Sequence, residues 1–327
     1  MKTHNRNLPF IKENWSGNPI TKSSRYRNIE FPFLPKLKDV IKWQTDSKPF
    51  KAEKKANQVD IRVNTQGEFL NTKKDGICWL GHASFLIRID GQVLLTDPVF
   101  DSPSFLMKRF SALPFLPSDI GKIDYLLISH DHRDHLDIDS LKTISIQNPK
   151  IKTLTGLGIE NTIRAALPNA QIQEAGWYQE YRSDDLAIYY LPSRHWGRRF
   201  LTDTNTRLWG AFIVKSKDKT IYFGGDSGYG SHFEEVKILF GQIDIAILGI
   251  GAYMPEWFMG PSHTSPKDAL QAAQDLGCKK LLPMHHSTFD LADEPMHMPQ
   301  TELMQLYQNN KFDFEILNPL IGDMQYL

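Results

Sequence analysis

The stretch that decides the fold of this chain spans residues 123–137 and reads IDYLLISHDHRDHLD. Its opening run, residues 123–128, is mostly apolar and rich in strand formers, which predicts a short buried β-strand that ends at Ser129. Three of the chain's eleven histidines follow directly, so a polar loop with chance histidines is a poor explanation. The stretch therefore predicts a metal site at the end of a strand, with the candidate ligands His130, His132, Asp134 and His135.

The spacing of these four side chains suits metal coordination. Alternate side chains of an extended segment share one side, so His130 and His132 can hold one ion. Asp134 and His135, on the turn that follows, can reach a second ion beside it. Imidazole and carboxylate together favour zinc, with iron and manganese as other candidates. The cluster alone does not fix the number of ions.

Three other strand-like runs also end in side chains that can bind metal. Residues 186–191 lead to His195, and residues 220–223 lead to a Gly-Gly-Asp turn that presents the carboxylate of Asp226. Residues 280–284 lead to the adjacent pair His285 and His286. A single histidine or a single Gly-Asp turn is more often structural. The repetition is informative, because four such strand ends would converge on one edge of a sheet system.

The composition and the hydrophobic periodicity of the chain change near residue 75. Residues 1–74 mix Pro, Asn, Lys and single aromatic residues without sustained periodicity, so we expect an N-terminal extension wrapped on the core, with some helix. Residues 75–327 form the predicted main domain, which begins with a β-hairpin that turns at Asp90-Gly91. Later strands are predicted at 123–128, 151–154, 186–191, 211–214, 220–223, 243–250 and 280–284, and helices at 139–147, 158–167, 231–240, 265–276 and 301–309. This order predicts an α/β fold of mixed sheets with helices outside.

Composition restricts the partners and the compartment. Lys+Arg and Asp+Glu both number 38 in the 327 residues, so the chain lacks the global basic charge that favours nucleic acid. Cys78 and Cys278 lie far apart and are expected to be small buried side chains rather than metal ligands or a disulfide. The sequence shows neither a signal-peptide pattern nor a run long enough to cross a bilayer, which favours a cytoplasmic location.

The combined motifs over about residues 75–295 resemble the metallo-β-lactamase fold hydrolases. Within that superfamily they are most similar to the N-acylphosphatidylethanolamine-hydrolysing phospholipase D branch and its bacterial relatives. The closer match lies in residues 79–83, 95–98, 129–137, 192–196, 208–210, 225–229, 250–253 and 257–259. The resemblance implies a four-layer αββα sandwich.

The resemblance also implies a binuclear zinc site. One Zn²⁺ would be held by His130, His132 and His195, a second by Asp134, His135 and His285, and Asp226 would bridge the two. His286 stands where the phospholipase has tryptophan, so the wall that faces the substrate is expected to differ. Asp97 matches a position that orients a ligand histidine through a hydrogen bond.

The implied chemistry is attack by a metal-bridging hydroxide on a phosphodiester. The candidate catalytic residues are Asp134, Asp226 and His263. His263 matches a histidine near the phospholipase active site and could assist the leaving group, but a role in shaping the loop before the helix is an equal alternative. His82 is expected to support the site rather than to react.

The leading prediction is a phosphodiesterase of phospholipase D type that acts on N-acylphosphatidylethanolamine-like lipids. The alternatives are a lactonase or other cyclic-ester hydrolase, a nuclease, and a non-catalytic metal-binding protein. Residues 98–117 are unusually apolar for a connection and carry Lys108 and Arg109. This stretch either makes a peripheral membrane contact, with both cations meeting phosphate, or packs against the N-terminal extension.

Overall fold

A computed structural model describes residues 1–31, 34–56 and 61–327. Its strands form two mixed sheets of seven strands each. The first sheet has the order β14-β1-β2-β3-β4-β5-β6 and contains β1 Gly76–Gly81, β2 Ser84–Ile89, β3 Gln92–Thr96, β4 Tyr125–Ile128, β5 Lys152–Gly156, β6 Gln171–Ala175 and β14 Met324–Tyr326. Adjacent strands of this sheet pair antiparallel from β14 to β3 and parallel from β3 to β6.

The second sheet mirrors this arrangement, with the order β13-β12-β11-β10-β9-β8-β7. Its strands are β7 Gln179–Glu180, β8 Ala187–Leu191, β9 Ala211–Lys215, β10 Thr220–Phe223, β11 Ile243–Gly249, β12 Cys278–Met284 and β13 Glu315–Ile316. Strands β10 to β13 are parallel, and β7 to β10 are antiparallel. Because β8 and β10 are both antiparallel to β9, the strands β8, β10 and β12 all run in the same direction.

Helices lie before and between the strands. In the described residues they are α1 Leu37–Thr45, α2 Lys51–Ala56, α3 Glu68–Asn71, α4 Ile138–Gln147, α5 Glu160–Arg164, α6 His232–Phe240, α7 Glu256–Met259, α8 Pro266–Leu276 and α9 Met298–Asn309. The best specified is α8, where Ser265 and Asp268 form a capping box and Gly277 ends the helix with φ of 61°.

Two-residue periodicity in the first sheet separates two apolar layers. Phe85 and Ile87 face the core between the sheets, where the ring of Phe85 lies 6.4 Å from that of Phe223. Leu86 faces the opposite side, where it joins a second cluster with Leu141 of α4 and Ile163 of α5. Helices α6 and α8 supply Phe233 and Leu270 to the cluster that includes the second sheet. The layers are helix, sheet, sheet, helix.

The predicted elements of the main domain are present, with changed bounds. The hairpin turns at Asp90-Gly91, and the predicted helix 158–167 is shortened to α5. Both cysteines are buried and free, as expected. The sequence does not predict strands β6, β7, β13 and β14, which are the edge strands of the two sheets.

The N-terminal residues contact the second sheet. Phe10 forms a β-bridge with Gln179 at the edge strand, and the side chain of Asn18 accepts a hydrogen bond of 2.9 Å from Trp177 N. Tyr26 is 2% exposed. Residues 32, 33 and 57–60 of the predicted extension lie outside the described residues. Among the described helices, none is long and apolar enough to cross a membrane.

Candidate metal centre

The ends of several strands bring the predicted ligands together. In the second sheet β8 leads to His195, β10 to Asp226 and β12 to His285, all at the same edge because the three strands are codirectional. In the first sheet β4 leads to the run from His130 to His135. The atoms of these side chains that could bind a metal ion fall into adjoining groups, each spanning no more than 4.8 Å.

The first group contains three histidines and one carboxylate. His132 Nδ1 lies 2.9 Å from His130 Nε2 and 3.1 Å from His195 Nε2. Asp226 Oδ2 faces the same point, at 3.8 Å from His130 Nε2 and 3.6 Å from His195 Nε2. The three ring nitrogens and the carboxylate oxygen therefore converge.

The second group lies on the other side of Asp226. Asp226 Oδ1 is 3.2 Å from His135 Nε2 and 3.2 Å from His285 Nε2. Asp134 Oδ2 is 3.8 Å from each of these ring nitrogens. His82 Nε2 lies 3.2 Å from Asp134 Oδ2. The two oxygens of Asp226 thus face two different groups of ligands.

Burial sets the protonation of the first group. Burial lowers the pKa of His130 and His195 well below the ordinary value, and neighbouring histidines lower it further. The pKa of His132 is also lowered, chiefly by burial. Neutral imidazole is the form that binds a metal. These three histidines are therefore in the metal-binding form at neutral pH.

The charged side chains of the centre lie in the second group. Burial by itself raises the pKa of Asp226, but the nearby His135 and His285 hold it well below the ordinary value. The pKa of Asp134 is held well below its ordinary value in the same way, by His135 and His82. Burial opposes the charged form of His135, yet Asp226, Asp134 and Asp97 raise its pKa well above the usual range. A cation beside His135 would replace the proton that these carboxylates attract.

The donor atoms fit a metal ion. His135 Nε2, His285 Nε2 and Asp226 Oδ1 are buried and have no hydrogen-bond partner among the described residues. Buried polar atoms are rarely left unpaired, because the loss of hydration costs about 1–3 kcal/mol per group. Imidazole nitrogens and carboxylate oxygens at this spacing are the donor set that zinc and similar divalent ions take.

Two hydrogen bonds orient candidate ligand histidines from the side of the ring that faces away from the centre. His135 Nδ1 donates to Asp97 Oδ2 at 2.8 Å, and Asp97 in turn accepts from Ser129 N at 2.7 Å. His195 Nδ1 donates to the carbonyl of Ser262 at 2.9 Å. Each bond fixes the proton on Nδ1 and leaves Nε2 free to face the centre.

The backbone at the centre is held in unusual conformations. His82, Asp97 and His285 have φ of 53°, 32° and 62°, in the left-handed region that non-glycine residues rarely adopt. Gly225, with φ of 55°, has to be glycine, since a Cβ there would lie 2.9 Å from the carbonyl oxygen of Gly210 and the Cβ of Ser129. The turn before Asp226 therefore packs closely against the turn before His130.

Two arginines that the sequence does not mark as functional hold the loop of residues 130–136 in place. Arg207 Nε donates to Asp131 Oδ2 at 2.6 Å, and Arg199 Nη1 donates to the carbonyls of Asp131 and Leu136 at 2.9 and 2.7 Å. Asp131 lies between His130 and His132. The pairing joins segments more than sixty residues apart, so no local pattern announces it.

The structure decides between some of the alternatives. His285, not His286, joins the cluster, because the ring of His286 packs at 4.8 Å on Trp79 instead. His263 Nδ1 lies 3.8 Å from Asp226 Oδ2, so this candidate is adjacent to the centre. One expectation for residues 98–117 is wrong. The guanidinium of Arg109 is not free to meet a phosphate, since it donates to the carbonyls of Leu80, Val99 and Ser111.

The comparisons with known proteins agree with this centre. Residues 92–286 match the family model described as "Beta-lactamase superfamily domain". The chain belongs to this family. A Veillonella parvula protein, described as a possible metal-dependent hydrolase, shares the fold with a TM-score of 0.63 at 15% identity, over 78% of this chain and 100% of that one.

Two curated relatives are similar in sequence. "N-acyl-phosphatidylethanolamine-hydrolyzing phospholipase D 1" of Caenorhabditis elegans is 29% identical over 84% of this chain and 82% of its own length. The mitochondrial enzyme of the same activity from Saccharomyces cerevisiae is 30% identical over 75% of this chain, but this match spans only 54% of the yeast protein. The predicted fold and hydrolase class are confirmed: the protein is a metal-dependent hydrolase of the metallo-β-lactamase superfamily, with a metal-binding His/Asp cluster.

Proposed function

We propose that the protein is a binuclear zinc phosphodiesterase of phospholipase D type. The observation that carries the proposal is the position of Asp226, whose Oδ1 faces His135 and His285 while its Oδ2 faces His130 and His195. A carboxylate placed in this way can bridge two ions. In the proposed assignment, one Zn²⁺ takes His130, His132 and His195, the other takes Asp134, His135 and His285, and both share Asp226.

Two bound zinc ions would make a hydroxide available at neutral pH and neutralise charge that grows on the phosphoryl oxygens. The protein's own residues keep this arrangement rigid. Asp226 sets the separation of the two ligand groups, and Asp134 is held by His82 at 3.2 Å. Ligand atoms fixed in advance need no rearrangement during the reaction.

His263 is proposed to act on the substrate. Its side chain is 15% exposed, whereas those of His130, His135, His195 and His285 are at most 1% exposed. Burial lowers the pKa of His263 to about 4, so its ring is neutral at pH 7. A neutral imidazole can accept a proton at one nitrogen while it donates the proton of the other, so His263 could relay a proton from the hydroxyl added to phosphorus to the departing oxygen.

A lipid substrate is supported by an apolar rim beside the centre, which we define as Phe105, Leu106, Phe200, Leu201 and Trp257. Their exposed fractions are 92%, 81%, 65%, 92% and 42%. Large exposed apolar groups of this kind mark surfaces that bind membranes or partners. The names of the nematode and yeast relatives point to a phospholipid substrate as well.

Each part of the rim is attached to a different side of the metal centre. Arg109 is near Phe105 in the chain and forms an isolated β-bridge with Phe289. The ring of Phe289 lies 4.9 Å from that of His82. The turn that carries Phe200 follows Trp196, whose ring lies 4.6 Å from that of His132.

The third part adjoins His263. Trp257 lies in the short helix α7, and the carbonyl of Met259 in this helix accepts a hydrogen bond of 3.0 Å from His263 N. Lys108, Arg133 and Arg198 are exposed beside these parts. Apolar tips next to cations fit the interface of an anionic bilayer, with Lys108 rather than Arg109 available to meet phosphate.

The activity is tested with zinc-loaded protein on four substrates: N-acylphosphatidylethanolamine in vesicles, a soluble aryl phosphodiester, a simple lactone and single-stranded RNA. We expect hydrolysis of the lipid and of the aryl phosphodiester. Asp226→Ala and His130→Ala should lose both metal and activity. Turnover of the lactone or RNA alone would overturn the substrate assignment, and full activity in either variant would refute the proposed ligands.

The membrane contact is tested with a separate set of variants. Phe105→Ser with Leu106→Ser, and Phe200→Ser with Leu201→Ser, should slow hydrolysis in vesicles at least about tenfold, since each change removes buried apolar area in the bound state. The soluble aryl phosphodiester should be cleaved at the wild-type rate. Ile146→Ser is the matched control, because Ile146 is 80% exposed on α4, away from the rim. Equal vesicle binding by wild type and both rim variants would exclude the lipid-facing surface.

A further inference from the structure

A segment before the main domain reaches one of the candidate ligands. We call residues 18–28 the N-terminal strap. Its last residue, Asn28, is 4% exposed, and its Nδ2 donates a hydrogen bond of 3.0 Å to the backbone carbonyl of His195. The matched family region begins at residue 92, so the strap lies outside it.

The side chain of Asn28 uses both ends of its amide. While Nδ2 donates to His195, Oδ1 accepts a hydrogen bond of 3.3 Å from Trp209 Nε1. Trp209 Nε1 also donates to the carbonyl of Ser193 at 3.0 Å, two residues before His195. Because the site needs one donor and one acceptor at fixed positions, an asparagine amide suits it and a carboxylate does not.

A second residue ties the strap to the same turn. Asn205 Oδ1 accepts a hydrogen bond of 3.1 Å from Gly197 N, and Asn205 Nδ2 donates to the carbonyl of Tyr26 at 3.1 Å. The backbone of Asn205 also pairs with Tyr26 N at 2.9 Å. The turn of residues 195–197 is therefore held against the strap at two points.

His195 is consequently fixed at both ends. Its ring is set by the bond from Nδ1 to the carbonyl of Ser262, which directs Nε2 to a point 3.1 Å from His132 Nδ1. Its backbone is set by Asn28. A ring held at one end alone could still swing with its peptide, since a small shift at Cα moves Nε2 by a similar distance.

We propose that Asn28 is a positioning residue for the metal centre, which fixes the His195 peptide so that Nε2 meets the ion. The proposal rests on the proposed function in one respect, namely that His195 is a metal ligand. Under this proposal the strap contributes to metal binding, in addition to packing against the second sheet. The main domain, residues 75–327, is then incomplete as a metal site without the strap.

The test measures metal binding in the full-length chain, without substrate. Asn28→Asp keeps the size of the side chain and its acceptor but loses the donor to the His195 carbonyl, and Asn28→Ala loses both. The control is Asn18→Ala, because Asn18 is 2% exposed on the same strap and contacts Trp177 rather than His195. Stoichiometry and affinity for Zn²⁺ are measured by competition with a chelator, and folding by thermal unfolding of the metal-free proteins.

We expect both Asn28 variants to bind one of the two ions about 10- to 100-fold more weakly, the range typical when a group that supports a ligand is lost. The second ion should bind as in wild type. Asn18→Ala should unfold at a lower temperature yet bind both ions normally. Folded Asn28 variants with wild-type affinity for both ions would overturn the proposal.

Two further outcomes keep the proposals separate. If neither Asn28 variant folds, Asn205→Asp replaces them, because it keeps the acceptor for Gly197 N and loses only the donor to Tyr26. Weakened binding of one ion there supports the strap, and normal binding overturns it. If wild type binds two ions but cleaves none of the four substrates, the phosphodiesterase proposal fails while the role of Asn28 stands. A wild type that binds no zinc overturns the ligand assignment itself.

Discussion

At the scale of single residues, Asp226 is the side chain on which the proposal of two ions depends. Its two oxygens lie within 3.8 Å of ring nitrogens from both ligand groups. Its pKa is held well below the ordinary value by His135 and His285 against the effect of burial, so the group is a carboxylate at neutral pH. A neutral side chain of the same shape could occupy the space but could not balance two cations.

We therefore expect Asp226→Asn to bind at most one zinc ion and to lose at least about 100-fold in kcat, because the change removes a ligand and not only its support. Metal content and steady-state rates check this result. The control is Asp218→Asn, which makes the same charge change at an exposed position. Two tightly bound ions in Asp226→Asn would contradict the bridging role.

His263 makes a different prediction, because it lies beside the centre without belonging to the proposed ligand set. We expect His263→Asn to keep both ions and to lower kcat about 100-fold, the lower end of what a positioned proton donor or acceptor contributes. His297→Asn, on an exposed side chain, should change neither quantity. A normal kcat in His263→Asn would leave only the loop-shaping role.

At the scale of elements, the loop after β11 packs closely against the backbone of the turn that contains His285. A Cβ added at Gly251 would lie 2.1 Å from the carbonyl oxygen of His285, whereas one at Gly249 would meet nothing closer than 3.7 Å. The two glycines are two residues apart, so they form a matched pair for testing this packing.

We expect Gly251→Ala to displace the His285 backbone, to weaken one zinc ion and to lower the unfolding temperature. Gly249→Ala should behave almost as wild type. Chelator competition and thermal unfolding distinguish the two variants. Equal behaviour of both variants would mean that the loop yields easily and does not hold His285.

The elements also show which features the sequence can predict. The hairpin β2–β3 and the capped helix α8 were predictable because their signals are local: a turn at Asp90-Gly91, and Ser265 with Asp268 at the helix start. The edge strand β14 was not, because it pairs with β1 about 250 residues away and has only three residues. Neither its length nor its composition marks it as a strand.

The candidate site shows the same difference between local signals, which the sequence reveals, and long-range contacts, which it does not. Candidate ligands that follow a strand, such as His195 and Asp226, could be predicted from the run that precedes them. The groups that support them could not. Asn28 reaches the His195 carbonyl across 167 positions, and Arg207 reaches Asp131 across 76. The prediction for Arg109 was wrong for the same reason. The aromatic residues near it in the sequence suggested a membrane-facing position, but its guanidinium binds the backbone carbonyls of Val99 and Leu80, which lie 10 and 29 positions away.

At the scale of the whole molecule, the cluster couples stability to pH. Burial lowers the pKa of His130, His132 and His195, and lowers that of His82 to about 3 and of His263 to about 4. In the unfolded chain these groups titrate near about 6.5. As the pH falls below that value, the unfolded chain takes up protons that the folded chain does not, so the free energy of unfolding decreases.

The other groups of the cluster change this result little above pH 4. The pKa of His135 is raised by Asp226 and Asp134 against the effect of burial, so below about pH 6.5 this histidine is protonated in both states and its contribution to stability stays constant. Asp134 and Asp226 have lowered pKa values, so their contribution is lost only as the pH falls through those values, below about 3.9. Five histidines therefore act in one direction between about pH 6.5 and pH 4, and the opposing group is Asp97, whose pKa is raised by burial.

Metal binding sharpens the same dependence, because zinc and protons compete for the same ring nitrogens. We expect zinc to be retained at pH 7 and released as the pH falls from about 6.5 to 4, with loss of activity in parallel. Dialysis of loaded protein at stepped pH, followed by metal analysis and thermal unfolding, measures both effects. The metal-free protein should lose stability over the same interval, since the histidines alone impose it. Zinc that stays bound through pH 4 would show that carboxylates, and not imidazoles, dominate the coordination.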